Sequence, residues 1–236
     1  MTIFRYTDGP DTCAGHIALP DATTPRPAVL VAHNWVGQGA FDSAVADRLA
    51  SLGYVGIAID IYGEGKRGDP AGDNSALMNP WVTDRGALRR RLLAAVDAAA
   101  AHPAVEGASI AIMGYCFGGL CALDLARAAD PRVKAAISFH GIYTPPAIGP
   151  QALITAKILA LHGWEDPYTP PQAHHELAKE MTEAGADWQI HAYGHTFHSF
   201  TNPHANNPAA GQGYSAAADA RSWSAATALL AEVFPA

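Results

Sequence analysis

Residues 109–122, SIAIMGYCFGGLCA, constrain the fold more than any other part of the chain. The apolar run Ile110-Ala111-Ile112-Met113 has the length of a fully buried strand, and a helix-prone segment begins near Leu120. Between them stands Gly114-Tyr115-Cys116-Phe117-Gly118, a G-x-C-x-G form of the G-x-S-x-G nucleophile elbow. This spacing suits a sharp strand-to-helix turn. The turn lifts the central side chain above the sheet, and the flanking glycines let backbones pass closely. Cys116 is therefore the candidate nucleophile. The Phe117 N–H, at a helix N-terminus, is placed to help stabilise an oxyanion. A glycine-flanked cysteine is also an ordinary core residue, so its partners elsewhere in the chain decide between the two.

The rest of the chain alternates in the same way. Residues 3–6 and 13–19 read as a short antiparallel pair turned at Asp8-Gly9-Pro10. Apolar runs at 28–32, 54–59, 133–139, 157–161 and 187–193 read as further strands, and 42–52, 84–101, 170–184 and 222–234 as helices with one apolar face. Residues 60–83 hold Gly63, Gly65, Gly68, Pro70, Gly72 and Pro80 and read as irregular: a lid, a substrate loop or a surface excursion. Arg85, Arg89, Arg90 and Arg91 read as the solvated side of the 84–101 helix, with Arg85 close enough to its start to point into a pocket instead. An antiparallel start followed by alternating strands and helices predicts an α/β fold with a mostly parallel central sheet and helices on both faces. Ligands of such sheets bind at the edge carrying the strand C-terminal ends.

The chain has 236 residues, 49% of them hydrophobic, which suits one domain over residues 1–236 with a sizeable core. No apolar run is long enough to span a bilayer, and the start of the chain lacks a signal-peptide pattern. A net charge of -7 without a long basic stripe argues against nucleic acid as a partner. Three cysteines at irregular spacing read as reduced thiols of a cytoplasmic protein. No cofactor is expected, and the chain is expected to be a monomer or small homo-oligomer.

Asn34, Cys116, Asp166 and His198 all follow expected strand ends. The order nucleophile, acid, histidine is that of an α/β-hydrolase triad. A thiol needs a base or a positive neighbour to react near neutral pH, which His198 would supply. Asp166 would fix the imidazole tautomer and stabilise its charge. Trp35 offers the second oxyanion N–H beside that of Phe117. Glu165 is the alternative acid, and His191, His195 and His204 compete with His198. His191, His195 and His198 have a spacing that a helix could turn into a metal site. Gly194 interrupts it, however, and no nearby carboxylate or cysteine completes a zinc pattern, so no metal is expected.

The segments Gly114-Tyr115-Cys116-Phe117-Gly118-Gly119, His162-Gly163-Trp164-Glu165-Asp166, His198-Ser199-Phe200 and Asp60-Ile61-Tyr62 resemble the dienelactone hydrolase family, carboxymethylenebutenolidase-like α/β-hydrolases, over nearly the whole chain. The resemblance implies a Cys116, Asp166, His198 triad acting on a lactone or activated ester. Two positions depart from the family pattern. Asn34 stands where the family usually has a Glu thought to interact with the resting thiol, and an amide cannot take a thiol proton. Asn202 stands where dienelactone-cleaving members have an Arg that binds the substrate carboxylate. Arg85 is the candidate replacement cation, and His140 a candidate pocket wall with Trp35, Trp81, Phe117, Phe139 and Trp164. The expected partner is a small-molecule ester or lactone. The alternatives are a general carboxylesterase or thioesterase, and a non-turnover small-molecule binder or thiol redox sensor on a hydrolase fold.

Overall fold

The computed structural model describes residues 2–235. Strands β1 (Thr2–Asp8) and β2 (Asp11–Ala18) form the antiparallel start. With β3 (Arg26–Ala32), β4 (Val55–Ile59), β5 (Val105–Tyr115), β6 (Val133–Phe139), β7 (Lys157–Gly163) and β8 (Trp188–Tyr193) they make an eight-stranded sheet in the order β1-β2-β4-β3-β5-β6-β7-β8. Every pairing from β4 to β8 is parallel, and β2 meets both its neighbours antiparallel. The chain steps from β3 out to β4 and returns to place β5 on the other side of β3. The C-terminal ends of β3 and β5 therefore flank the topological switch point, where open α/β sheets form their crevice.

Among the described residues there are six α-helices, α1 (Ala40–Ser51), α2 (Ser75–Thr83), α3 (Arg85–Ala100), α4 (Phe117–Arg127), α5 (Pro171–Glu183) and α6 (Ala216–Val233); α2 packs on α3 and the other five cover the sheet. The two-residue strand period divides the core. Ala28, Leu30 and Ala32 of β3 pack on the side of α3, α4 and α5, with Leu88, Leu92, Leu123 and Leu177. Val29 and Val31 pack on the side of α1 and α6, with Leu49, Ala226 and Leu230. Such two-sided burial explains why these strands read as unbroken apolar runs.

The structure departs from the sequence expectation in several places. The 60–83 stretch contains α2, which runs through Pro80. Pro80 is the sixth residue of that helix, beyond its first turn, where proline removes a backbone donor. The last helix starts at Ala216 rather than Ser222, capped by the Ser215 hydroxyl, which accepts from the Ala218 N–H. Arg91 does not lie on a solvated helix side. It is 1% exposed, ion-paired with Asp8 at 3.0 Å and Asp11 at 2.6 Å, with its guanidinium 4.7 Å from the Trp81 ring centre. Between β6 and β7, residues 144–153 form neither helix nor strand and are exposed apart from half-buried Pro146. Among the described residues, no helix is long and apolar enough to cross a membrane.

Candidate active site

Strand β5 hands over to α4 at Cys116, whose φ of 56° lies in the left-handed region that non-glycine residues avoid. Backbone bonds hold this strained residue. Its N–H donates to Phe139 O at 3.0 Å, and its carbonyl accepts from the Gly119 N–H at 2.9 Å. A Cβ on Gly114 would collide with the backbone of Gly118, so the tight elbow requires glycine there. The thiol is partly exposed, whereas Cys13 and Cys121 are buried.

His198 lies beyond β8 on a loop that is tied down by backbone. Its N–H donates to Gly211 O at 2.9 Å, and its carbonyl accepts from the Gly213 N–H at 3.1 Å. These partners belong to a small hairpin of β9 (Asn206–Asn207) and β10 (Gln212–Gly213), which the sequence did not suggest. The His198 Nδ1–H donates to Asp166 Oδ2 at 2.7 Å, and the other carboxylate oxygen accepts from the Tyr168 N–H at 2.9 Å. The Tyr168 ring stands edge-on to the His198 ring at 4.9 Å. Burial alone would lower the His198 pKa. The electrostatic influence of the neighbouring Cys116 and the hydrogen bond to Asp166 outweigh it and raise the value to about 10. The arrangement joins His198 to Asp166, sets Cys116 close enough to raise the His198 pKa, and favours the charged imidazolium. Glu165, the other acid, is exposed, as are His195 and His204. Among the described residues, no group of three His, Cys, Asp or Glu side chains is placed to hold a metal ion.

The N–H groups of Trp35 and Phe117 follow the C-terminal ends of neighbouring strands β3 and β5. Neither has a hydrogen-bond acceptor among the described residues. Phe117 is the first residue of α4, so its N–H adds the positive end of the helix dipole.

Asn34, Arg85, His140 and Asn202, the sequence candidates for substrate binding, each make contacts within the protein. Asn34 Oδ1 accepts from the Val36 N–H at 2.8 Å, closing a turn of the loop after β3. Asn202 is exposed and caps a turn, its Oδ1 accepting from the His204 N–H at 3.0 Å. His140 is buried behind His198, with ring centres 5.0 Å apart and its Nε2 2.9 Å from Thr201 Oγ1. Arg85 is buried and committed to an ion pair. Its Nε and one terminal nitrogen each donate to Asp124 at 2.5 Å, and the latter also reaches Thr144 O at 3.1 Å. Asp124 is shared with Arg127 at 3.1 Å, and Arg127 also pairs with Glu180 at 2.7 Å. Sequence spacing hides these arginines because each acidic partner lies on another element or another turn. Arg85→Ala leaves Asp124 buried with one cation, so we expect it to cost about 2 kcal/mol of stability. It should change KM equally little for neutral and carboxylate-bearing esters. Urea melts and paired kinetics check both, and a selective rise in KM for the charged ester would restore a binding role.

Two further strand-end histidines are buried and neutral. Burial lowers both His33 and His162 to about 4; hydrogen bonding to Asn34 O resists the shift at His33, and the Asp166 charge resists it at His162. Both pKa values lie below that of an unfolded histidine, so the unfolded chain binds more protons in this range. Stability is then fully present above pH 6.5 and is lost as pH falls toward 4. The expected slope is about 1.4 kcal/mol per pH unit for each such histidine. Urea midpoints measured from pH 7 to 4 check this, and a flat profile contradicts it.

The profile of the Dienelactone hydrolase family matches residues 13–234. A carboxymethylenebutenolidase from a Pseudomonas species is 27% identical over 198 residues, 80% of this chain and 80% of its own length. A probable 2-oxo-3-(5-oxofuran-2-ylidene)propanoate lactonase from a Bradyrhizobium species is 28% identical over 195 residues, 78% of each chain. Among solved structures, a dienelactone hydrolase-like promiscuous phosphotriesterase from metagenomic libraries superposes with a TM-score of 0.91 at 34% identity, covering 99% of this chain and 98% of that one. The elbow at Cys116, the strand order and these likenesses agree: the chain belongs to the dienelactone hydrolase family of α/β-hydrolases.

Proposed function

We propose that the protein hydrolyses lactones or activated esters through an acyl-thioester on Cys116. The observation that carries this reading is His198 hydrogen-bonded to the buried Asp166 carboxylate, with Cys116 on a strained elbow close enough to raise its pKa. The Cys116 thiolate attacks the substrate carbonyl and forms a C–S bond. The carbonyl electron pair moves to oxygen, which takes hydrogen bonds from the Trp35 and Phe117 N–H groups. Collapse breaks the C–O bond, and the leaving alkoxide takes the proton from His198 Nε2. A water then gives a proton to His198 and attacks the thioester. The second collapse releases the acid and returns the thiolate beside imidazolium. Asp166 stays ionised throughout and holds Nδ1–H. The lactone-opening names of two relatives support lactones within this class.

Mixing the protein with p-nitrophenyl acetate and quenching during the first turnover should give an acetyl adduct on the peptide holding Cys116. The adduct should be labile to hydroxylamine. An adduct on another residue, or rapid turnover with none, would sink the thioester mechanism.

A second reading, phosphotriester hydrolysis, is favoured by the likeness to the promiscuous phosphotriesterase. The same thiolate would attack phosphorus, and the same N–H pair would meet the phosphoryl oxygen. The ratio of kcat/KM for an aryl ester to that for an aryl dialkyl phosphate separates the readings, and a ratio above one favours acyl transfer.

A further inference from the structure

The Trp35 N–H can meet an oxyanion only if the peptide between Asn34 and Trp35 is held one way round. We infer that His33 is the positioning residue that fixes this peptide, an inference that rests on the acyl-transfer reading above. His33 follows β3 directly and is fully buried. Its ring spans two backbone groups, with Nδ1 2.7 Å from Asn34 O and Nε2 3.1 Å from the Ile61 N. A backbone N–H only donates, so Nε2 accepts and the ring proton sits on Nδ1. Nδ1–H therefore donates to Asn34 O, which also accepts from the Gly37 N–H at 3.2 Å.

A trans peptide is planar, and its N–H points opposite to its carbonyl. Fixing Asn34 O on one side aims the Trp35 N–H to the other, where it has no acceptor among the described residues. The next peptide is held by different groups: the Tyr62 hydroxyl donates to Trp35 O at 3.0 Å, and Asn34 Oδ1 takes the Val36 N–H at 2.8 Å. Those contacts fix where Trp35 ends. His33 fixes how it begins, and through Ile61 it ties the loop to the chain just past β4. Its ring also lies 6.1 Å from that of Phe117 and 4.6 Å from that of Tyr62, so it braces both residues whose N–H groups meet the oxyanion, Phe117 directly and Trp35 through its peptide. No proposed step uses the His33 proton, which leaves positioning as its part.

The test separates oxyanion stabilisation from thiol reactivity. Alkylation by iodoacetamide joins the sulfur to carbon and expels iodide, with no oxyanion formed. His33→Leu fills the ring's volume but removes both hydrogen bonds. His33→Asn keeps a donor near the Nδ1 position. We expect His33→Leu to lower kcat/KM for p-nitrophenyl acetate by roughly 30- to 100-fold. The alkylation rate at Cys116, read by peptide mass spectrometry, should not change, and His33→Asn should recover most of the loss in turnover. An unchanged kcat/KM in His33→Leu overturns the inference, as does an equal loss of turnover and alkylation in both variants. If the unsubstituted protein shows no ester turnover, the acyl-transfer reading falls and takes this inference with it. If it turns over and His33→Leu matches it, only the role of His33 falls.

Discussion

Cys116→Ala should lower kcat for an activated ester at least about 1000-fold while leaving the urea midpoint almost unchanged. The thiol is partly exposed, so its loss opens little cavity. What goes is the atom proposed to form the covalent intermediate. Residual turnover would come from the two N–H groups and a water activated by His198. Asp166→Asn makes an informative companion. Asp166 accepts from both the His198 Nδ1–H and the Tyr168 N–H. An amide has one oxygen for these two donors. If that oxygen stays on Tyr168, the new NH2 faces Nδ1, pushes the ring proton to Nε2 and leaves no base toward sulfur. Turnover should fall by about 100-fold or more, with the thiol still present to titrate. Full activity in Cys116→Ala would end the nucleophile assignment.

Gly118→Ala should cost about 3 kcal/mol or more of stability. A Cβ there would collide with the backbone of Ala32 and His33. No rotamer change can move a Cβ, so either α4 or the end of β3 must give way. The N–H groups proposed to meet the oxyanion lie at the start of α4 and in the loop just after β3, so activity should fall together with the urea midpoint. Gly194→Ala is the control, because a Cβ there has open space and the residue is exposed. A Gly118→Ala protein with the parental midpoint would mean that the helix and strand are less tightly apposed than described.

The strands were legible because burial on two faces leaves an apolar run that needs no partner to be recognised, as at Ile110-Ala111-Ile112-Met113. The elbow was legible from its glycine spacing, and Gly114 reports a backbone contact only four residues away, at Gly118. Helix α2 was not, since Pro80 and the glycines before it carry the signature of a loop. The early start of α6 was missed because residues 216–221 are rich in alanine and lack an apolar period. Arg85 and Arg91 read as solvated because Asp124, Asp8 and Asp11 lie 39, 83 and 80 residues away in sequence. Local sequence did not choose between Asp166 and Glu165 beyond a turn signal. Folding separates them by burying one against His198 and leaving the other in water. His33 went unread although a histidine ends the unbroken apolar run of β3, a signal that strand-end polarity could have raised.

The exposed crossing from β6 to β7 makes this scaffold divisible at one place. Residues 147–149 take part in no backbone hydrogen bond among the described residues, and both flanking strands are pinned within the sheet. Opening the chain between Ile148 and Gly149, whether to splice in a reporter or to move the termini there, would interrupt none of the contacts that hold Cys116, Asp166 and His198. A fused sensor at this point could follow the protein in a cell while its chemistry runs undisturbed.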